Sequence, residues 1–467
     1  MKASLYEELD KIFHPGCMAS VGASSNMANM GMGFLFGYKK LGFSGKLYAI
    51  HPTKRSDHFE TYPGLLDVPG PIDEVKVSIP ARLVPGVMKD CVKKGVRCVT
   101  IFSSGFRESG TAEGEALEDE VVRIAGKGGV RVIGPNCMGI YCPETGMSIR
   151  ADMPKVDGGK IALISQSGGI AISFSLAAGE KGVGLSKVVS YGNECDLGAP
   201  EFLHYLARDK KTEVICLYIE GTRRAGELFS ALKDAAEKKP VVILKGGSTD
   251  VGNRAVASHT GALTGSSEVW NAIARQTKAI MAEDTDEMLD LAILLSLVGP
   301  PPGRRIGLLT ISGGFGVFAT DQVVRAGFEM PLLAKQTQKA LFKFIDAPGT
   351  SIQNPVDMAA KFFQPQHYAE LFPAFDKDPG VDAFILVCAM EYLTILSSKT
   401  REWSTAMVKT LINGLNYMKK PVYIVLLHTA EEVIRLEHEH SFLAAGYPVF
   451  PTVNRCLLAM QRSMERK

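Results

Sequence analysis

Short apolar runs alternate with helical stretches along the chain, and this alternation restricts the fold more than any other feature. The first third contains five such runs, and each is followed by small residues, glycine or proline. Strands that alternate with helices predict a parallel α/β sheet, whose ligands bind at the carboxyl ends of the strands. The strands predicted here are 17–21, 46–50, 75–79, 97–102 and 130–133.

The same pattern recurs twice after residue 147. A second unit has predicted strands 159–164, 187–190, 214–219 and 241–245, followed by an acid-rich helix over 284–297. The run Gly299-Pro300-Pro301-Pro302-Gly303 is the clearest linker, because consecutive prolines cannot continue a helix. A third unit has predicted strands 305–310, 383–387 and 422–426. We therefore predict an α/β protein with domains 1–147, 148–299 and 300–467.

Length and charge exclude several classes of protein. A chain of 467 residues is too long for one hydrophobic core. Its 52 basic and 50 acidic residues leave a net charge of +2, so no general attraction for nucleic acid or anionic membranes is expected. The longest apolar run, 289–298, is too short to span a bilayer, and residues 1–10 do not resemble a signal peptide. We expect a cytoplasmic protein.

The nine cysteines are scattered and form no C-x-x-C pair, which indicates a reducing compartment without a disulfide framework or a thiolate zinc site. The only other suggestion of a metal is His438-Glu439-His440. Residues two apart on a helix point to different faces, so we interpret this triplet as a solvated helix surface. No metal site is predicted.

His259 lies in a stretch of small residues, 255–265, that follows a predicted strand and a loop rich in glycine. A neutral imidazole is a competent nucleophile near pH 7 and can carry a phosphoryl group. Small neighbours would let phosphate approach one ring nitrogen. Taken alone, the stretch favours a histidine that caps a helix or lies on the surface.

Three strand-to-helix turns are candidate anion sites, since helix N-termini offer free N–H groups and a favourable dipole. They are 21–25, 164–169 and 311–316. The first lacks a full G-x-G-x-x-G pattern and indicates a nucleotide-containing ligand only weakly. The second and third are alike in character and head successive domains. They predict two dipoles directed at one phosphate, or helices that pack closely on their sheets.

Glu220 ends a predicted buried strand. A carboxylate at such a position usually faces solvent at the rim of the sheet, and the sequence alone favours that interpretation. The alternative is an acceptor for the imidazole N–H of His259, which would fix the tautomer so that the other nitrogen attacks phosphorus.

Taken together, these stretches resemble the NDP-forming acyl-CoA synthetases, the superfamily that includes succinyl-CoA synthetase. The resemblance is closest to the α subunit of ADP-forming acetyl-CoA synthetase, and it covers the chain in order. It rests on Val21-Gly22-Ala23-Ser24, Ser103-Ser104-Gly105-Phe106, Gly134-Pro135-Asn136-Cys137, Ser165-Gln166-Ser167-Gly168-Gly169, Ala257-Ser258-His259-Thr260-Gly261 and Asn354-Pro355-Val356-Asp357.

The resemblance implies a Rossmann-like CoA-binding domain followed by two flavodoxin-like domains of the succinyl-CoA synthetase type. It implies that His259 carries the phosphoryl group and that Glu220 orients it. The implied phosphate-binding residues are Ser165, Gln166, Ser167, Gly168, Gly169, Ser312, Gly313 and Gly314. The implied CoA-binding residues are Gly22, Ser24, Ser25, Lys54, Phe102, Ser103 and Ser104. Lys54 is equally compatible with an ordinary surface lysine.

The family also uses ADP or ATP with Mg²⁺, held by an ATP-grasp domain that this sequence does not contain. The resemblance therefore implies a separate ATP-grasp β subunit in an α2β2 assembly, with acyl-CoA, phosphate and a carboxylic acid as reactants. Two other functions are the alternatives: a non-catalytic CoA-binding or CoA-sensing protein of the same fold, and a Rossmann dehydrogenase. The dehydrogenase leaves the His259 stretch and both later turns unexplained.

Overall fold

The computed structural model describes residues 3–24, 29–249, 251–252, 266–345, 348–389, 401–428 and 431–466. Within these ranges the chain forms three six-stranded sheets. It divides into two compact units, 1–288 and 289–467, of which the first contains two sheets and the second contains one. The predicted α/β class is confirmed, while the domain boundaries at 147/148 and 299/300 remain a prediction.

The first sheet is entirely parallel, in the order β3-β2-β1-β4-β5-β6. This is the doubly wound Rossmann order, and it reverses between β1 and β4. The strands are β1 Cys17–Val21, β2 Lys46–Ile50, β3 Glu60–Tyr62, β4 Glu74–Val77, β5 Cys98–Ile101 and β6 Arg131–Ile133. The helices are α1 Ala3–Phe13, α2 Met30–Leu41, α3 Val84–Lys94 and α4 Ala112–Gly128.

The second sheet has the order β12-β11-β10-β8-β9-β7, in which β7 alone is antiparallel to its neighbour. Its five parallel strands follow the flavodoxin order, which reverses between β8 and β10. The strands are β7 Gly139–Tyr141, β8 Ile161–Ser165, β9 Leu185–Ser190, β10 Val214–Ile219, β11 Val241–Lys245 and β12 Ile280–Ala282. The helices are α5 Gly168–Glu180, α6 Ala199–Leu206, α7 Ala225–Lys238, α8 Ser267–Thr277 and α9 Thr285–Leu297.

The third sheet repeats that order as β14-β15-β13-β16-β17-β18, with an antiparallel β14 at one edge. It reverses between β13 and β16. The strands are β13 Ile306–Thr310, β14 Ser351–Ile352, β15 Val356–Asp357, β16 Ala383–Ala389, β17 Val422–Leu427 and β18 Val449–Phe450. The helices are α10 Gly313–Arg325, α11 Lys335–Leu341, α12 Tyr368–Asp376, α13 Arg401–Leu415, α14 Glu432–Ala444 and α15 Val453–Met464.

The central strands form because continuous apolar runs can be buried on both faces of a parallel sheet. All five residues of β8 and all seven of β16 are buried. Every strand predicted from the sequence is present. The six that were missed, namely β3, β7, β12, β14, β15 and β18, have only two or three residues each. Such short strands carry no readable periodicity.

The interpretation of His438-Glu439-His440 as a solvated surface was wrong for its first two residues. His438 and Glu439 are each 1% exposed. The guanidinium of Arg435, also buried, lies 2.9 Å from the Glu439 carboxylate. This ion pair allows a carboxylate on α14 to be buried, because its charge is compensated. No helix among the described residues is long and apolar enough to cross a membrane.

Candidate functional site

The carboxyl edge of the second sheet brings together Gln166 and Glu220, which the sequence singled out separately. Gln166 follows β8 and Glu220 follows β10, on either side of the point where the strand order reverses. The Gln166 side-chain oxygen accepts hydrogen bonds from the backbone N–H groups of Glu220, at 2.7 Å, and Gly221, at 3.1 Å. Because doubly wound sheets bind ligands at this reversal, the edge is the candidate active site.

Glu220 is only 5% exposed, so the interpretation of a solvent-facing rim carboxylate was wrong. The phenolic O–H of Tyr218 donates to its Oε1 at 3.1 Å. Burial, and then the charge of Glu220, raise the pKa of Tyr218, so this phenol stays protonated and remains a donor. Glu220 is therefore held in a fixed orientation, as a carboxylate that directs another side chain must be.

The turn before α5 combines close packing with an open N-terminus. Ser165 donates from its hydroxyl to the Ser167 carbonyl at 2.7 Å, and the Ser167 hydroxyl accepts the N–H of Ile170. A Cβ on Gly168 would lie 2.7 Å from Met138 Cγ, so packing requires a small residue there. Gly169 is exposed and has no such neighbour. The first N–H groups of a helix have no acceptor within it, so this turn can receive an anion.

The turn before α10, in the second unit, has a closely similar local structure. Thr310 donates from its hydroxyl to the Ser312 carbonyl at 3.1 Å, as Ser165 does to Ser167. A Cβ on Gly313 would lie 2.9 Å from Oδ2 of Asp357, whereas Gly314 faces open space. The Asp357 carboxyl is buried, which raises its pKa, and it accepts the N–H of Ala359. In both turns the first glycine is therefore closely packed, as the packing interpretation expects, and the second faces open space.

The predicted CoA turn lies at the carboxyl edge of the first sheet, where the strand order reverses between β1 and β4. Gly22 has φ +92°, and a Cβ there would lie 2.5 Å from the Ser78 carbonyl oxygen. Ser103, after β5, accepts the N–H of Ile79 at 3.1 Å. Gly22 therefore packs directly on the backbone after β4, and the Ser103 side chain links the connection after β5 to it. Only glycine is compatible with both the conformation and the space at position 22.

The other predicted CoA-binding residues have different environments along this edge. Ser24 is buried, Phe102 is half-buried and stacks edge-on with Phe34 at 5.8 Å, and Ser104 is exposed. Lys54 is exposed after β2, with its backbone N–H bound to the His51 ring at 3.0 Å. Its long side chain is thus available to a phosphate. Ser25 and His259 lie outside the described residues.

Comparison with known proteins gives concordant results over nearly the whole chain. Residues 17–143 match the CoA binding domain, and residues 158–295 match the succinyl-CoA ligase-like flavodoxin domain. The α subunit of ADP-forming acetate–CoA ligase II from Pyrococcus furiosus is 32% identical over 90% of each chain. This chain belongs to the ADP-forming acetyl-CoA synthetase family.

Other members of this family differ in length. ADP-forming acetate–CoA ligase I from Archaeoglobus fulgidus is 34% identical over 81% of this chain, which spans only 54% of that protein. The acetyl-CoA synthetase 1 structure from Ca. Korarchaeum cryptofilum, in complex with phosphate and ADP, has a TM-score of 0.84 and 31% identity. It covers 98% of this chain, and this chain covers 96% of it. The synthetase fold is therefore shared from end to end with that chain.

A cavity of about 200 Å³ opens beside Gln166 and Gly221. At roughly 30 Å³ per water molecule, it is large enough for a small acyl or phosphate group. Most of the charged side chains that line it already form ion pairs. Arg107 binds Glu118 at 2.9 Å, and Arg224 binds Glu201 at 2.9 Å. The cavity is therefore a polar space next to the candidate active site.

Two residues at this edge were missed by the sequence analysis, Tyr218 and Lys245. Tyr218 lies two positions before Glu220, and a two-residue period places both on one side of the chain, which is a readable signal. Lys245 ends β11 and resembles an ordinary solubilising residue at a strand end. Among the described residues, no group of three or more His, Cys, Asp or Glu side chains could hold a metal ion.

Proposed function

We propose that this chain is the CoA-binding, phosphohistidine-bearing subunit of an ADP-forming acyl-CoA synthetase. The observation that supports this most directly is the buried Glu220, held by Tyr218 and next to the Gln166 turn at the sheet reversal. The overall reaction is acyl-CoA + ADP + phosphate = carboxylate + ATP + CoA. A separate ATP-grasp β subunit, in an α2β2 assembly, binds ADP or ATP with Mg²⁺.

The proposed reaction has three steps. A phosphate oxygen bonds to the acyl carbon, the carbon–sulfur bond breaks, and CoA leaves as the thiolate. A nitrogen of His259 then attacks phosphorus of the acyl phosphate, and the carboxylate leaves. Phosphohistidine finally transfers the phosphoryl group to ADP. Glu220 accepts the other imidazole N–H and so selects the tautomer that attacks.

The helix N-termini have an electrostatic role in this proposal. Backbone N–H groups at the Ser165–Gly169 turn, and at the Ser312–Gly314 turn, stabilise the phosphoryl oxygens. Gly22, Ser24, Ser25, Phe102, Ser103 and Ser104 bind CoA, while Lys54 contacts one of its phosphates as a point charge. All nine cysteines are unpaired thiols, which supports a reducing cytoplasm.

The decisive experiment measures phosphorylation of this chain. The complex with its ATP-grasp partner is incubated with acetyl-CoA, phosphate and Mg²⁺ but without ADP, and intact mass and acid lability are recorded. We expect one acid-labile phosphoryl group, which is lost when ADP is added. The variants His259→Ala and Glu220→Gln are expected to remain unphosphorylated or nearly so.

Other acyl-CoAs follow in the same assay if acetyl-CoA fails. An assembled complex that binds CoA but is phosphorylated by no member of the panel would overturn the catalytic proposal. That result would instead support the non-catalytic CoA-sensing protein of the same fold.

A further inference from the structure

Lys245, the last residue of β11, is a buried cation at the edge of the second sheet. It is 7% exposed. Its ammonium group donates to the carbonyl oxygens of Gly246 and, at 3.3 Å, Gly247. It also lies 5.9 Å from the ring centroid of Trp270 on α8. The side chain thus turns back onto the chain that leaves β11 and connects the Gly246–Gly247 turn with α8.

The charge environment of Lys245 differs from that of the other buried lysines. Lys76 lies 3.4 Å from Glu74, and Lys187 lies 2.9 Å from Asp209. Within the ranges that the structure describes, no carboxylate forms an ion pair with Lys245. Burial lowers its pKa, and the charge of Glu220 opposes that effect. A buried cation without a paired acid is costly, so a packing role alone does not explain why lysine is present.

The turn that Lys245 holds is in direct contact with the candidate active site. The N–H of Gly246 donates to the Ile219 carbonyl at 2.9 Å. A Cβ on Gly246 would lie 2.5 Å from the Tyr218 hydroxyl oxygen and 3.2 Å from Glu220 Cγ. Gly247 then takes φ +73°, which reverses the chain. A shift of this turn would therefore move the groups that orient Glu220.

We propose that Lys245 is a positioning residue for phosphoryl transfer. Its ammonium group holds the Gly246–Gly247 turn against Tyr218 and Glu220, and it keeps one positive charge at the edge where phosphoryl oxygens must be bound. This inference rests on the proposed function. It adds a residue that does not touch the reacting atoms. This residue sets the geometry and electrostatics of the side chains that act at the site.

The test uses the full chain in complex with its ATP-grasp partner, with acetyl-CoA and inorganic phosphate as reactants. Lys245→Met removes the charge and the donors, while Lys245→Arg keeps both. Lys187→Met, which breaks a buried ion pair away from this edge, controls for lost stability, and Lys210→Met controls for a surface lysine. The phosphorylation rate, the KM for acetyl-CoA and the thermal unfolding temperature are measured for each.

We expect Lys245→Met to slow phosphorylation by about 10- to 100-fold, because small displacements at reacting groups have effects of that size. The KM for acetyl-CoA should stay within about twofold, and Lys245→Arg should recover most of the rate. Lys187→Met should lower the unfolding temperature without this selective loss. If the Lys245→Met complex matched the native rate, the proposed role of Lys245 would be overturned. The proposed function of the chain would not be affected by that result.

A pH profile provides a second readout that a purely structural role would not change. The groups that face the ammonium are the Glu220 carboxylate, the Trp270 ring and two backbone carbonyls. The native rate should fall at alkaline pH as Lys245 loses its proton, whereas Lys245→Arg stays charged and should keep its rate. If the rates of the native and Lys245→Arg complexes fell identically at alkaline pH, the inference would be contradicted, even if Lys245→Met failed to fold. No phosphorylation of the native complex would instead overturn the proposed function.

Discussion

At the scale of single residues, Gln166 joins two strands that are distant in sequence. Its side-chain oxygen accepts two backbone N–H groups at the end of β10, and its own backbone N–H donates to the Tyr218 carbonyl at 3.1 Å. The residue is 6% exposed, so water does not readily replace these bonds. Gln166 thus fixes the turn before α5 relative to the direction in which Glu220 leaves its strand.

Replacing Gln166 with methionine keeps the volume but removes the acceptor. We expect a loss of about 2–4 kcal/mol in the free energy of unfolding, because two buried N–H groups lose their partner. Urea denaturation of the native chain and of Gln166→Met measures this difference. Gln336→Met, on an exposed position of α11, is the matched control and should change stability by less than about 0.5 kcal/mol. Equal effects of the two substitutions would show that the Gln166 bonds do not contribute.

At the scale of elements, the turns before α5 and α10 use the same arrangement of hydroxyl groups in two sheets of the same strand order. In each, the hydroxyl two residues before the helix cap binds the carbonyl of the cap. The first glycine of each helix packs closely, and the second is exposed. The repeated pattern in the sequence therefore corresponds to a repeated way of presenting a helix N-terminus.

The two glycines of the α10 turn should respond differently to alanine. In Gly313→Ala the new Cβ displaces the Asp357 carboxyl group, which also binds Ala359. In Gly314→Ala it enters open space at an exposed helical position, where alanine is favoured over glycine. We expect Gly314→Ala to be more stable than Gly313→Ala by about 1–2 kcal/mol in urea denaturation. If the two variants were equally stable, displacing the Asp357 carboxyl group would have no measurable effect on the free energy of unfolding.

Helix α14 should make the second unit sensitive to acid. Burial lowers the pKa of His438 to about 4, below its ordinary value of 6.5. Between those two pH values the unfolded chain binds a proton that the folded chain does not, so stability is lost as the pH falls. The pKa difference corresponds to a loss on the order of 3 kcal/mol.

Urea denaturation at pH 7, 6 and 5 measures this effect of His438. The variant His438→Leu should show a shallower dependence on pH than the native chain. His440→Leu, at an exposed position of the same helix, is the matched control and should keep the native slope. If native and His438→Leu chains had the same slope, His438 would not be the group responsible.

At the scale of the whole molecule, the sequence predicts what depends on local pattern and misses what depends on neighbours. Long apolar runs predicted the central strands. Turns of small residues predicted the strand-to-helix connections at the carboxyl ends of β1, β8 and β13. The burial of Glu220 could not be predicted, because it depends on β8 lying beside β10. The order of strands in a sheet cannot be read from the local sequence pattern. Lys245 and His438 were missed for the same reason, since their partners come from other elements or from the folded interior.

The thiols provide a test that involves the whole chain. All nine cysteines are free, and eight of them are buried, while Cys195 is half-buried. Burial raises the pKa of Cys17 to about 11 and those of Cys137 and Cys388 to about 12. Thiolates, which are the reactive form, are therefore scarce at pH 8 in the folded protein. We expect slow reaction with a thiol reagent in the native state.

Unfolding in guanidinium without reductant should then release nine reactive thiols, because no disulfide holds any of them. Adding a reductant should leave both the count and the native unfolding temperature unchanged. A count below nine before reduction, restored after it, would show a disulfide. It would contradict both the free-thiol state and the expectation of a reducing compartment.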